Sequence, residues 1–107
     1  YALASCLVLP STSEPWGLVV NEAMTCGLPI LISHKCGCQP ELCWRGLNGY
    51  DFDPLDVSKL VGLMTRVSGG ELDLEAMGEA SRQIIAPLTP DGWARVLLDC
   101  IETVRVC

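Results

Sequence analysis

The feature that most constrains this chain is a succession of patterns near its N-terminus: an apolar run, a polar loop, a helix and a second apolar run. Residues 6–9 form the first run, and residues 10–13, Pro-Ser-Thr-Ser, favour a turn over a continued strand. From Gly17 onward, apolar residues recur at helical spacing over about ten residues, until Gly-Leu-Pro at residues 27–29 stops the helix. Residues 29–33 form the second run. This succession predicts a βαβ unit in a parallel sheet.

Ligands usually bind where the loops and helix starts of such a sheet meet, at the carboxyl edge of its strands. Here the first backbone N–H groups of the predicted helix, those of Gly17, Leu18 and Val19, have no partner within the helix. They carry the positive end of the helix dipole, so they can bind a phosphate without a basic side chain. Glycine at the first position lets an anion approach the backbone closely. The sequence therefore predicts a diphosphate site.

Two glutamates flank this helix start, Glu14 in the loop and Glu22 one turn into the helix, with seven residues between them. Side chains lean toward the N-terminus of a helix, so the Glu22 carboxylate is expected beside the anion site, where it suits a ribose diol. Glu14 can face another part of the same ligand, such as the hydroxyls of a sugar. A diphosphate between two hydroxylated rings describes a nucleotide sugar, although an acidic pair alone is also common on a solvated helix face.

The same segment resembles the retaining GT-B glycosyltransferases of the group 1 (GT4) type, whose donor-binding domain carries a Glu-x7-Glu motif. In this chain the motif runs from Glu14 to Glu22. Further stretches continue the likeness in the same order: Glu-Ala-Met at 22–24, Cys-Gly-Leu-Pro at 26–29, Ser-His-Lys-Cys-Gly-Cys at 33–38, Pro-Glu-Leu at 40–42, Asn-Gly-Tyr at 48–50 and Phe-Asp-Pro-Leu-Asp at 52–56. Several linked motifs in one order make the resemblance specific.

The resemblance implies an α/β fold, a partial Rossmann-like parallel sheet of about three strands covered by helices, as in the second half of a GT-B C-terminal domain. It implies that Glu22 holds the ribose and that Glu14 contacts the donor sugar near the anomeric carbon, as the catalytic residue. Amides at Gly17 and Leu18 would meet the diphosphate, with that of Val19 beside them. The family mechanism requires no metal and no cofactor besides the nucleotide-sugar donor.

On this resemblance, residues 1–107 correspond to part of the donor-binding domain, and we expect the N-terminal acceptor-binding domain to be absent from this chain. The predicted function is that of a glycosyltransferase fragment that binds a nucleotide diphosphate sugar for transfer with retention. Whether the chain alone is an enzyme stays open, because we expect it to be incomplete for catalysis. The alternatives are a non-catalytic remnant, a nucleotide-sugar-binding module, or an interaction subunit that docks through its C-terminal helix.

Composition limits the partners. The formal charge of −6 and a pI near 4.5 argue against nucleic acid, because no basic stripe is available to displace phosphate counterions. No apolar stretch approaches a membrane span and no signal-peptide pattern occurs, so we expect a cytoplasmic location. A three-stranded parallel sheet would expose an edge, which predicts an oligomer partner, the acceptor-binding domain or another segment beside it.

Seven cysteines offer further hypotheses. Because the number is odd and Cys6, Cys26 and Cys100 lie in apolar patterns, reduced buried thiols are favoured over disulfides. Cys36-Gly37-Cys38 with Cys43 could form a metal site, but zinc sites usually use pairs spaced by two to four residues. We favour a tight loop at 36–38 that borders the donor site.

Two other polar groups invite a chemical role. Asp51-Phe52-Asp53 is similar to the Asp-x-Asp metal motif of another glycosyltransferase fold, but its setting indicates a turn into a short strand, followed by a helix cap at Asp56. His34 is the sole histidine and is expected in a loop after the second strand, so we do not assign it as a base.

Three amphipathic patterns follow. Residues 57–67 and 74–85 predict helices that end near Gly69-Gly70 and Pro87 and cover the sheet. Thr89-Pro90 then begins a third pattern, a regular apolar stripe that starts at Trp93 and is typical of a core or docking helix.

Overall fold

A computed structural model describes residues 4–88 of the 107-residue chain. Within this range the order of elements is β1 (Leu7–Leu9), α1 (Leu18–Thr25), β2 (Ile30–Ser33), α2 (Gln39–Leu42), β3 (Gly49–Phe52), α3 (Val57–Ser68), α4 (Leu74–Ile85) and a 3₁₀ turn (Ala86–Leu88). The predicted βαβ unit is confirmed as β1, α1 and β2. The Trp93 stripe lies outside the described residues.

The three strands form one parallel sheet in the order β1-β2-β3. Leu31 in β2 is in register with Val8 on one side and with Tyr50 on the other. All four residues of β2 are buried, as expected for the central strand of a parallel sheet, whose two faces are both covered. The predicted fold class, a partial parallel sheet of three strands covered by helices, is therefore confirmed.

Helices cover the two faces of the sheet unequally. On one face, α1, α2 and α4 pack against β2 through a core that includes Val20, Met24, Ile32, Leu42 and Ile85. On the other face, α3 is the one helix within residues 4–88 that packs against the sheet, through a smaller cluster of Leu31, Phe52 and Leu63 with partly buried neighbours around it. Helix α1, which begins directly after the predicted site loop, thus belongs to the larger core.

Local signals fix the ends of the helices. Gly27 adopts a left-handed conformation with φ +77°, and its N–H donates to the Met24 carbonyl while that of Leu28 donates to Ala23. This is a Schellman ending, and it confirms the predicted helix stop. The helix has eight residues instead of the expected ten or so because Gly17 and Cys26 lie outside it as its N-cap and C-cap. Helix α3 begins at the predicted cap, Asp56.

Helix α4 holds α1 in place through a close glycine contact. Gly78 in α4 is buried, and a Cβ added to it would overlap the carbonyl oxygen of Gly27 at the end of α1. The Arg82 guanidinium, one turn further along α4, lies against Gly27 and reaches the Cys26 carbonyl oxygen at 3.5 Å. Contacts with α4 therefore fix the C-terminal end of the helix whose N-terminus forms the predicted site.

The cysteines agree with the sequence-based prediction in part: those within residues 4–88 are free thiols, and Cys6 is half-buried, while Cys100 lies outside the described residues. Cys26 was expected among buried thiols but is exposed, because it lies past the last turn of α1 as its C-cap. The predicted tight loop at 36–38 is confirmed, but the short helix α2 that follows it was not predicted, and Cys36, Cys38 and Cys43, which flank α2, are buried in the larger core. Burial raises the pKa of the Cys38 thiol to about 11 and that of Cys43 to about 12, which keeps both protonated near neutral pH.

Across residues 4–88, no helix is both long enough and apolar enough to span a membrane.

Candidate functional site

Two loops meet at the carboxyl edge of the sheet. One loop, residues 10–17, connects β1 to α1 and is called the Glu14 loop below. The other, residues 34–38, connects β2 to α2. Because β1 and β2 run parallel, both loops leave the sheet at the same edge, which is the edge at which α/β proteins bind ligands.

Backbone hydrogen bonds dock the Glu14 loop onto the second loop. The Gly37 N–H donates to the Glu14 carbonyl at 2.9 Å, and the Cys38 N–H donates to the Trp16 carbonyl at 3.2 Å. Glu14 and Cys36 form an isolated parallel bridge. A Cβ at Gly37 would overlap the carbonyl oxygen of Pro15, so the two loops approach this closely only because residue 37 is glycine.

Gly17 forms the junction between the Glu14 loop and helix α1. It is the buried N-cap residue, with φ +95°, and its carbonyl accepts the first helical hydrogen bond from Val20 at 2.9 Å. Residues with a side chain rarely adopt such a conformation. No side chain caps this helix, whereas the Asp56 and Asp73 carboxylates cap α3 and α4. The N-terminus of α1 thus lacks the acidic cap that would compete with a bound anion.

The structure brings Glu14 beside this helix start. The Cγ atom of Glu14 lies 3.5 Å from the position that a Cβ on Gly17 would occupy, and the side chain is half-buried. Its charge also acts on the second loop: burial first, and the Glu14 carboxylate second, raise the pKa of the Cys36 thiol. Glu14 and Gly17, predicted from sequence as parts of one site, are therefore neighbours.

The remaining predicted site residues lie on α1. Leu18 is the first residue of the helix and is 71% exposed, Val19 is half-buried, and Glu22 is exposed. Glu22 is four positions after Leu18, so the two share one face of the helix. Since side chains lean toward the N-terminus of a helix, the Glu22 carboxylate is expected to lie over the turn that begins at Leu18.

Sequence reasoning missed two contributions to this site. Trp16 donates its indole N–H to Asn21 Oδ1 at 2.8 Å, which links the Glu14 loop to helix α1. The available signal was an asparagine, Asn21, in the helix five positions after a tryptophan. The second contribution is the close contact of Gly37 with Pro15: the loop at 36–38 was predicted to border the site, but no local pattern indicated this contact.

The other polar groups considered from sequence have structural partners elsewhere. Asp51 accepts hydrogen bonds from the Arg45 guanidinium at 2.7 and 2.9 Å, and Asp53 accepts one from the Leu55 N–H at 2.9 Å. Asp56 accepts one from the Lys59 N–H at 3.0 Å, which confirms its predicted capping role. His34 lies exposed in the turn after β2. Residues 4–88 contain no group of three or more His, Cys, Asp or Glu side chains arranged to hold a metal ion.

Comparison with known proteins gives a consistent result. A family model for glycosyl transferases group 1 matches residues 1–84. The chain is 35% identical over 86 residues to a sulfoquinovosyl transferase from Arabidopsis thaliana, a match that covers 78% of this chain and 17% of that protein. It is 32% identical over 83 residues to a sucrose synthase from Melioribacter roseus, covering 77% of this chain and 10% of that protein.

A solved structure supports the same assignment. The sucrose-phosphate synthase of Thermosynechococcus elongatus matches with a TM-score of 0.76 and 28% identity, over 95% of this chain and 25% of that one. This chain therefore spans between a tenth and a quarter of the length of these relatives. The family match over residues 1–84 and the shared parallel sheet agree: the chain belongs to the group 1 glycosyl transferase family.

Proposed function

We propose that this chain forms part of the donor site of a glycosyltransferase, where it binds a nucleotide diphosphate sugar whose glycosyl group is transferred with retention. The observation that carries the proposal is the meeting of Glu14 with the uncapped start of α1 at the carboxyl edge of the sheet. Family membership supports it, as do relatives whose names describe sulfoquinovosyl transfer and sucrose synthesis.

The backbone amides of Gly17, Leu18 and Val19 are the groups we assign to the diphosphate. As the bond between sugar and diphosphate breaks, negative charge grows on the leaving diphosphate, and fixed N–H dipoles stabilise it without reorganisation. The −6 net charge of the chain makes backbone dipoles and any basic groups from outside this segment more important for an anionic ligand.

The two glutamates are assigned to the two hydroxylated rings. Glu22, on the exposed face of α1 near the helix start, accepts hydrogen bonds from the ribose hydroxyls. Glu14, half-buried beside Gly17, contacts the donor sugar near the anomeric carbon. A complete transferase also needs an acceptor-binding part, and we propose that it lies in sequence that this chain does not include or in a partner subunit.

Replacing Glu22 tests the ribose assignment. Glu22→Ala is expected to weaken binding of UDP or GDP by about tenfold to one hundredfold, because hydrogen bonds to a charged group contribute about 1.5–3 kcal/mol. Isothermal titration calorimetry of the purified protein with each nucleotide measures the change.

Glu75→Ala is the matched control, since Glu75 is also an exposed helical glutamate but lies in the first turn of α4. Its removal changes the net charge by the same amount and is expected to leave the affinity within about twofold. Equal effects of the two substitutions would show that Glu22 acts only through net charge. Absence of nucleotide and nucleotide-sugar binding in the parent protein would refute the proposed function.

A further inference from the structure

The Glu14 loop is attached to its surroundings by two different kinds of link. Backbone hydrogen bonds from Gly37 and Cys38 hold its main chain against the loop that follows β2. A side-chain hydrogen bond, from the Trp16 indole N–H to Asn21 Oδ1 at 2.8 Å, ties it to helix α1. The first link fixes the distance of the loop from β2, and the second fixes its position relative to the helix.

The side-chain link connects the two halves of the proposed donor site. Trp16 lies in the loop two positions after Glu14, and Asn21 lies in the helix immediately before Glu22. Both partners are half-buried, so the hydrogen bond is partly shielded from water. A change in this bond would alter the position of Glu14 relative to the helix amides and Glu22, while the helix itself stays packed through Val20 and Met24.

We propose that Trp16 and Asn21 are positioning residues that hold Glu14 for recognition of the sugar portion of the donor. This inference rests on the proposed function. The diphosphate and ribose would be bound mainly by α1, through the amides of Leu18 and Val19 and through Glu22, with the Gly17 amide at the junction between the loop and the helix. The sugar would be read by Glu14, whose place depends on the loop. Loosening the loop therefore reduces the contribution of the sugar to binding and leaves that of the nucleotide diphosphate largely intact.

The test separates these two contributions. Calorimetry measures the affinity for UDP-glucose divided by that for UDP, and the same ratio for GDP-mannose and GDP. Trp16→Phe removes the indole N–H and keeps an aromatic ring, whereas Asn21→Leu removes the acceptor at similar size. Each is expected to lower the ratio for the donor that binds by about tenfold, and the double variant by no more than either alone. Asn21→Asp keeps an acceptor oxygen, so its ratio of affinities is expected to stay close to that of the parent protein.

Trp44→Phe is the matched control. The Trp44 indole N–H also donates one hydrogen bond, to the Glu41 carbonyl at 3.0 Å, but Trp44 precedes β3 and so lies at the opposite edge of the sheet. For Trp44→Phe, the ratio of donor affinity to nucleoside diphosphate affinity should match that of the parent protein. The inference is overturned if Trp16→Phe and Asn21→Leu change the affinity for the donor that binds and the affinity for its nucleoside diphosphate equally, since that result indicates a purely structural hydrogen bond. Failure of the parent protein to bind any of the four ligands would instead refute the proposed function, and the inference with it.

Discussion

Replacing Gly37 with alanine is expected to destabilise the protein and to disconnect the Glu14 loop from the loop after β2. The new Cβ would overlap the Pro15 carbonyl oxygen, and a backbone atom cannot rotate away as a flexible side chain can. The hydrogen bonds from Gly37 to Glu14 and from Cys38 to Trp16 would lengthen or break as the loops separate. We expect a loss of about 3 kcal/mol in the free energy of unfolding, at the upper end for overpacking, measured by urea denaturation.

The same substitution should affect ligand binding beyond its effect on stability. Binding is measured without urea, at a temperature at which the Gly37→Ala protein remains folded. Its affinity for UDP-glucose is then expected to fall more than its affinity for UDP, because Glu14 is displaced while α1 is not. A variant as stable as the parent protein would contradict the tight contact between the two loops. Equal losses for both ligands would contradict the assignment of Glu14 to the sugar.

The second large effect is expected at Gly78, where α4 meets the end of α1. Gly78→Ala would place a Cβ on the Gly27 carbonyl oxygen, again a backbone atom. Helix α4 would have to move away from α1, which opens the core around Ile85 and Met24. We expect a loss of about 3 kcal/mol in the free energy of unfolding.

Gly62→Ala provides the control for helix propensity. Gly62 also lies inside a helix, α3, but a Cβ there would meet no atom within 4 Å. Alanine is favoured over glycine in a helix, so this variant is expected to gain about 0.5–1 kcal/mol. A loss in the free energy of unfolding for Gly78→Ala and a gain for Gly62→Ala, measured by urea denaturation under the same conditions, would confirm that the contact with Gly27 determines the result. A gain in both would show that α4 does not approach α1 as closely as described.

Much of the fold could be predicted because its signals are local. The apolar runs around Val8 and Leu31 are short and bounded by turn residues, the stop at Gly27 is a standard helix ending, and Asp56 stands where a cap is needed. Each depends on residues a few positions apart. The order of these elements then implies a parallel sheet, because consecutive strands joined by a helix run in the same direction.

The errors concern features that depend on distant contacts. Helix α2 has four residues, too few to show a period, and burial of Cys36, Cys38 and Cys43 around it depends on packing against α1, β2 and α4. Cys26 follows an apolar helix in sequence, yet the helix ends before it and leaves it exposed.

In the candidate site, too, features with local sequence signals could be predicted, and features that depend on distant contacts could not. Gly17 could be predicted because a helix start is a local feature, and Glu22 because it follows at one helical turn. The loop at 36–38 was predicted to border the site, but its hydrogen bond to Glu14 and its close contact with Pro15 were not, because they join residues more than twenty positions apart. The hydrogen bond from Trp16 to Asn21 spans only five positions, but two ordinary residues at that spacing form no recognised motif.

The most direct test of the proposed donor site is an NMR titration of the ¹⁵N-labelled protein with UDP and GDP. If the start of α1 binds the diphosphate, the largest backbone amide shift changes will occur at Gly17, Leu18 and Val19. The amides of Ser58 and Glu75, at the aspartate-capped starts of α3 and α4, serve as internal controls and should move little. Shift changes that are absent from α1, or that are equal at all three helix starts, would contradict the donor site proposed for this chain.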